Sequence, residues 1–303
     1  MNIKFSLLIT TKNRLEDLII TLQKVAYLFE REDVECLIYD DASDDDTVVF
    51  LEKNYPNITL FKNKKSKGLI HNRNYLINNC KGDFAISIDD DLHFITENPL
   101  ELIEKYFIEN PKCSLISFRI FWSKKKPIST NSNQKPCRVK SFAGGANAWR
   151  VSTWKEIPNY PEWYVFYGEE DFASMQLFKF KKEIHYVPDI LVHHRVNVAE
   201  RKNDKDFQIR KRRSLRAGWC NYIIFFPLNV FPILLLSSFW QHFKNYTLKG
   251  NVKATIAFIQ AFFDLFLNFK KILSYNSRFS ILEYKEFCKL PQAKIYWKPE
   301  DEL

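Results

Sequence analysis

Three apolar runs in the first third of the chain each end in a tight polar cluster, and that recurrence limits the folds open to it. Ile3–Thr10 runs into Thr10-Thr11-Lys12-Asn13, Val34–Asp40 into Asp40-Asp41-Ala42-Ser43, and Phe84–Ile88 into Asp89-Asp90-Asp91. Between the runs the period changes from two to 3.6. Leu15, Leu18, Ile19 and Leu22 share one helical face, a helix starts near Asp46, Ile58–Phe61 reads as a strand, and Leu69–Asn79 reads as a helix. Strand–helix alternation implies an α/β fold, a Rossmann-like and mostly parallel sheet flanked by helices. Sites in such sheets lie at the carboxyl ends of the strands, where the polar clusters fall.

Three carboxylates delivered by one strand repel each other, so Asp89-Asp90-Asp91 points to a cation. Hard oxygen ligands favour Mg²⁺ or Mn²⁺, which would in turn hold a diphosphate. Alone, such a cluster also serves as a solvated turn or helix cap. An Asp-x-Asp phosphatase is a poorer match, because Leu92-His93-Phe94 lacks the Thr or Val that such enzymes place two residues on. At the neighbouring strand ends, Asp40 and Asp41 can accept from a base N–H, and Thr10, Lys12 and Asn13 are placed to meet the same nucleoside. Arg73, near a helix start after Lys67-Gly68, suits phosphate.

The order Ile9-Thr10-Thr11-Lys12-Asn13-Arg14, Tyr39-Asp40-Asp41-Ala42-Ser43, Gly68…Arg73-Asn74 and Asp89-Asp90-Asp91 resembles family-2 glycosyltransferases, inverting enzymes of the GT-A fold, over about two-thirds of the chain. Phe142-Ala143-Gly144-Gly145-Ala146-Asn147 resembles the family's small-residue segment beside the donor sugar, and Tyr167-Gly168-Glu169-Glu170-Asp171 its acidic helix-start motif. The resemblance implies that Asp41 and Thr10 bind the base, with Asp90 among the donor-contacting residues and Gly144 and Gly145 beside the sugar. It also implies that Asp91, helped by Asp89, binds the metal, and that His193 or His194 completes the metal shell. Glu169 or Glu170 would deprotonate the acceptor hydroxyl, with Glu169 preferred. The motif departs from the commoner Glu-Asp-x-Asp by reading Gly-Glu-Glu-Asp, which leaves the choice of base among Glu169, Glu170 and Asp171 open. The implied activity is transfer of a sugar from a uridine- or deoxythymidine-linked donor to a glycan or lipid-linked glycan acceptor in surface polysaccharide synthesis.

The rest of the chain bears on where such an enzyme works. Its formal net charge is +9, which calls for an anionic partner, and much of that charge lies in the run Arg201–Arg216. The run leads into Ala217–Gln241, which has no charged residue, is interrupted by Pro227 and Pro232, and has Trp219 and Trp240 at its ends. Ala254–Phe269 is a second apolar stretch, amphipathic through Gln260 and Asp264. The expectation is two units: a catalytic domain over 1–200 and, over 201–303, a helical tail lying on an anionic membrane surface. The competing expectation for Ala217–Gln241 is a buried helix pair broken at proline.

Six scattered cysteines without C-x-x-C spacing argue for a reduced compartment and against structural zinc. The N-terminal run Ile3-Lys4-Phe5-Ser6-Leu7-Leu8-Ile9 is too short and too early to be expected as a signal peptide. Together with the tail, these lead to the expectation of a protein at the cytoplasmic face of the cell membrane, peripheral or monotopic. Leu115–His194 reads as less regular, with a loop over Ser123–Arg138.

Two other function classes fit the sequence less well. A sugar nucleotidyltransferase would carry a Gly-rich N-terminal loop, and Thr10–Leu15 has no glycine. A basic lipid- or nucleic-acid-binding protein would leave the acids at successive strand ends unexplained, and nucleic acid is not an expected partner.

Overall fold

A computed structural model describes residues 3–196, 206–292 and 296–297. The alternation inferred above is present. It runs β1 (Phe5–Thr11), α1 (Leu15–Phe29), β2 (Val34–Asp40), α2 (Thr47–Asn54), β3 (Thr59–Lys62), α3 (Leu69–Asn79), β4 (Phe84–Asp89), β5 (Leu92–Phe94) and α4 (Pro99–Glu109). In α1, Leu18, Leu22, Val25 and Leu28 are buried at helical spacing, while Leu15 and Ile19 lie at the half-buried edge of that face. The first N–H of α1 donates to Asp45 Oδ2 at 3.2 Å, so one acid of the Asp44–Asp46 cluster caps a neighbouring helix.

The middle of the chain is more regular than expected. β6 (Cys113–Trp122), β7 (Cys137–Val139), β8 (Ala146–Arg150), the short α5 (Val151–Trp154), α6 (Glu169–Lys179) and β9 (Glu183–His194) follow, with a loop at 123–136. β6 is buried along nearly its whole length, so its sequence shows no alternation by which to recognise a strand.

The sheet is mixed rather than mostly parallel. Its order is β3-β2-β1-β4-β8-β6-β9-β5, with β7 added to β9 and β10 (Tyr296–Trp297) to β6. β3, β2, β1 and β4 are parallel, while β8 is inserted antiparallel between β4 and β6. That insertion sets the glycines before β8 directly against the acidic end of β4: Asp89 N donates to the Gly145 carbonyl at 3.1 Å. β9 pairs with β5 so that Leu92 faces His194 and His93 faces His193.

Beyond β9 the chain is helical: α7 (Phe207–Phe225), α8 (Phe231–His242), a π turn at Phe243–Thr247, α9 (Val252–Leu267), α10 (Phe269–Ser274) and α11 (Ile281–Lys289). Pro227 and Pro232 separate α7 from α8 and open α8, as proline does where a helix must stop and restart. The region divides between burial and exposure. Trp219, Cys220, Ile224 and Phe225 of α7 join the main hydrophobic core, whereas α8 exposes Ile233, Leu236 and Trp240. The basic run divides in the same way. Its start, 201–205, lies outside the described residues, and two of its arginines turn inward: Arg212 pairs with Asp264 of α9 through contacts of 2.8 and 2.6 Å, and Arg216 Nη1 lies 3.7 Å from the same carboxylate. No helix among the described residues is long and apolar enough to cross a membrane.

Candidate active site

The candidate site forms where β4, β8, β9 and the starts of α3 and α6 converge. Of the three acids at the β4 end, Asp89 and Asp91 converge on His194 while Asp90 turns toward Thr11. Asp89 stays partly exposed, and Asp91 is buried. Asp90 is also buried, accepting from Thr11 Oγ1 at 2.9 Å, with its backbone carbonyl held by Thr21 Oγ1 at 2.6 Å. Burial, with Asp91 adding repulsion, pushes the Asp90 carboxyl up to about 8 despite Arg14.

Asp89, Asp91 and His194 place one potential ligand atom each within 4.8 Å of one another. Asp91 Oδ1 lies 2.8 Å from His194 Nε2 but has no partner in hydrogen-bond geometry, so one buried oxygen of the group is left unsatisfied. Two carboxylates and an imidazole make a donor set that suits Mn²⁺ or Mg²⁺. Burial works against ionised Asp91, but His194 and Arg14 outweigh it and its pKa falls below the usual carboxylate range. Arg14 Nη2 contacts Asp91 Oδ2 at 2.6 Å. His193 projects to the other side of β9, its Nε2 2.7 Å from the Ser123 carbonyl, and is not part of the three-residue group.

Beside this group Arg73 is buried between two acids: Nη2 contacts Asp89 Oδ1 at 3.0 Å and Nη1 contacts Glu169 Oε1 at 2.9 Å. Gly144 N donates to Glu170 Oε1 at 2.7 Å. Here glycine is required by space. A Cβ on Gly145 would sit 2.0 Å from Asp89 Oδ2, and one on Gly144 would sit 2.3 Å from Arg73 Nη1. Asn147, fully buried, pins this turn by donating to the Ala143 and Gly144 carbonyls, each at 2.8 Å. The carboxyls of Glu169 and Glu170 are both raised, first by burial; Glu169 adds repulsion at Glu170, and Arg73 opposes both shifts. Asp171, one residue on, keeps an exposed surface, although desolvation by its surroundings still raises its carboxyl.

The third region is the loop between β3 and α3. Asp41 accepts from Asn63 Nδ2 (2.7 Å), Ser66 Oγ (2.6 Å), Lys67 N (2.8 Å) and Gly68 N (3.0 Å), which occupies both of its oxygens. It therefore orders the loop that leads into α3, the helix that carries Arg73. Asp40 instead closes its own turn, accepting from Ser43 N at 3.0 Å and from the Ser43 hydroxyl. Asn13, at φ 53°, ties the β1 and β2 ends together: its N–H donates to Ser43 Oγ at 2.9 Å, and its side-chain oxygen accepts from Asp44 N at 2.7 Å. Thr10 remains half-buried at the end of β1, and Lys12 is exposed. Asn63 and Ser66 carry no signal in the sequence, since nothing local distinguishes them from ordinary loop polar residues; Arg14 and Asn147 close two of the motifs, but only their contacts give them a role.

A mixed sheet with flanking helices, carrying acids and an imidazole at its strand ends, defines a GT-A glycosyltransferase fold. The family model described as glycosyl transferase family 2 matches residues 6–187, more than half of the chain, and the protein belongs to that family. Solved structures agree on the fold. GalNAc-T7 with UDP, GalNAc and Mn²⁺ superposes with a TM-score of 0.57 at 16% identity, covering 74% of this chain and 48% of that one. S. aureus TarS 1-349 in complex with UDP-GlcNAc gives 0.51 at 16% identity, over 71% of this chain and 66% of the other. The mannosyltransferase PcManGT from Pyrobaculum calidifontis, in complex with GDP-Man and Mn²⁺, gives 0.53 at 14% identity, over 94% and 83%. The chain thus spans about half the length of the GalNAc-T7 chain. No curated protein sequence matches it.

Proposed function

We propose that this glycosyltransferase moves one sugar, with inversion, from a uridine- or deoxythymidine-diphosphate donor to a glycan or lipid-linked glycan used in surface polysaccharide synthesis, at the cytoplasmic face of a membrane. The observation that carries the reading is the Asp89–Asp91–His194 group set against Arg73 and the Gly144–Gly145 turn. Asp89, Asp91 and His194 would hold Mn²⁺ or Mg²⁺, which when bound neutralises charge on the donor diphosphate. Arg73 adds positive charge beside it, and the glycines let the donor sugar approach the backbone. The half-buried Thr10 and the Asp41-ordered loop flank the space for the base. Asp41 would reach a base N–H only by giving up one of its present donors.

In the reaction an acceptor oxygen forms a bond to the anomeric carbon as the bond from that carbon to the diphosphate oxygen breaks. The hydroxyl proton passes to a carboxylate, and the nucleoside diphosphate leaves with the bonding pair. Glu169 is engaged by Arg73 and Glu170 by Gly144 N, so we assign the base to Asp171, the acid of this turn open to an arriving acceptor. The exposed apolar faces of α8 and α9 support the docking of the tail on an anionic membrane and hence a lipid-linked acceptor.

The test is a thermal-shift panel of nucleoside diphosphate sugars with and without Mn²⁺, followed by turnover. A metal-dependent rise in Tm for one nucleotide class supports the donor site. No shift for any donor overturns it. Asp171→Asn should lose about a hundredfold in turnover with donor affinity retained. An equal loss in Glu170→Gln alone would move the base there.

A further inference from the structure

The apolar tail contains a feature that sugar transfer does not use. Between α8, the π turn and α9 lies an open cleft of about 410 Å³, within the range of small-molecule sites. Leu236, Phe239, Trp240, Phe243, Phe258 and Ile259 form its apolar wall. At its polar end are Thr247 and Thr255, whose hydroxyls meet at 3.1 Å, and His242. His242 is 4% exposed, and its ring is stacked against Tyr246 and Phe258 with centroids 5.0 and 4.9 Å away. Its Nε2 lies 3.1 Å from the Ala254 carbonyl, which assigns the proton to Nε2, while Nδ1 is buried with no partner. A buried acceptor left unsatisfied in a cleft wall is costly unless a ligand or water meets it.

The surroundings indicate the kind of ligand. Val252, Ile256, Ile259, Phe263 and Phe266 form an exposed apolar stripe along α9, and Ile233, Leu236, Trp240 and Phe243 a parallel one along α8. The cleft opens among these stripes. From Phe207 to Leu267 the chain has eight Lys and Arg residues and one acid, Asp264, which is buried against Arg212 and Arg216. Three of those cations, Lys244, Lys249 and Lys253, are exposed around the turn that joins the two helices. A fourth, Lys211, sits 4.3 Å from the Tyr246 ring centroid beside His242. Apolar stripes bordered by exposed lysines, with the one acid of α9 turned inward, match the boundary between hydrocarbon and anionic headgroups. We propose that the α8–α9 cleft is a specific site for one hydrocarbon chain of an anionic phospholipid, with the lysines on the phosphate and His242 Nδ1 accepting from a headgroup hydroxyl. This deepens the membrane-docking part of the reading above and rests on it, but it needs neither the donor nor the metal.

The probe is lysophosphatidylglycerol below its critical micelle concentration, measured by equilibrium dialysis against the full chain without nucleotide or metal. The expected result is saturable binding of one molecule per chain. Ile259→Trp, which fills the cleft from an exposed position, should weaken it at least tenfold with Tm unchanged. Leu267→Asp, exposed and outside the cleft, should leave that affinity unchanged while reducing co-sedimentation with vesicles of equal parts phosphatidylglycerol and phosphatidylcholine. The proposal is overturned by non-saturable binding, by wild-type affinity in Ile259→Trp, or by equal affinity for lysophosphatidylcholine of the same chain length. It is also overturned if sedimentation velocity shows the face covered by a second copy of the chain. Metal-dependent donor binding is measured separately, so failure of the transferase reading and failure of the lipid site are distinguishable.

Discussion

At the scale of single residues, the site is organised by close contacts that leave little room for change. Gly145→Ala would drive a Cβ into the Asp89 carboxylate, 2.0 Å away, and overpacking of this kind costs about 1–3 kcal/mol. We expect this variant to fold with a lowered Tm and to lose the Mn²⁺-dependent thermal shift with donor; a wild-type shift would show that Asp89 is not a ligand. Asp91→Asn keeps the shape but removes the charge that faces His194 and Arg14. Its metal-dependent donor binding should fall below detection by calorimetry, and retention at wild-type strength would refute the metal assignment. The Glu169–Glu170 pair predicts a pH effect. Burial raises both carboxyls above the ordinary value of 4.5, so the folded chain binds these protons more tightly than the unfolded one. Their contribution is therefore most favourable below 4.5 and is lost as pH rises through the raised pKa. Glu170→Gln should gain stability relative to the native chain as pH goes from 5 to 8, read by urea denaturation; a constant difference would mean that the pair titrates normally.

At the scale of elements, α7 links the catalytic half to the tail. Asn221 Nδ2 donates to the Gly168 carbonyl at 3.1 Å, Tyr164 OH donates to Asn221 at 2.8 Å, and a Cβ on Gly168 would lie 2.5 Å from that of Ala217. Gly168, at φ 84°, begins α6 and so sets the direction of Glu169–Asp171. The contact between α7 and α9 depends on Asp264, buried against Arg212 and Arg216. Asp264→Ala would leave both guanidiniums without that partner. We expect a loss of about 1–3 kcal/mol, kept below the value for a fully buried pair because Arg212 is partly solvated. Chemical denaturation checks this, and an unchanged midpoint would show that the pair adds no stability.

For the whole molecule, the shared core matters more than the division into units suggested by composition. Trp219 and Phe225 are buried in the same cluster as the sheet residues, with Phe225 5.3 Å from Phe172 of α6. A chain ending at residue 206 would expose that surface next to the candidate base. We expect it to aggregate or to melt well below the full chain, and a truncated protein of native Tm with intact donor binding would establish an autonomous 1–206 unit.

The strand–helix order, the polar strand ends, the glycine turn and the acidic start of α6 were legible in the linear chain. Periodicity, strand-end polarity and glycine are local properties that one segment carries by itself. The break at Pro227 was legible for the same reason. The antiparallel insertion of β8 was not, because β6 and β8 are buried and show no alternation, and strand direction is set by pairing between distant segments. Only the tertiary structure separates His194 from His193 and Asp91 from Asp90: the two histidines fall on opposite sides of β9 by the β5–β9 register, and in the turn after β4 Asp90 is taken by Thr11 while Asp91 joins His194. It likewise turns Arg212 and Arg216 inward, since their partner Asp264 lies some fifty residues away. The sequence alone determined which chemical groups this protein has and at which strand ends they emerge; long-range pairing decided which of them meet, because a contact is a property of two segments and neither encodes it alone.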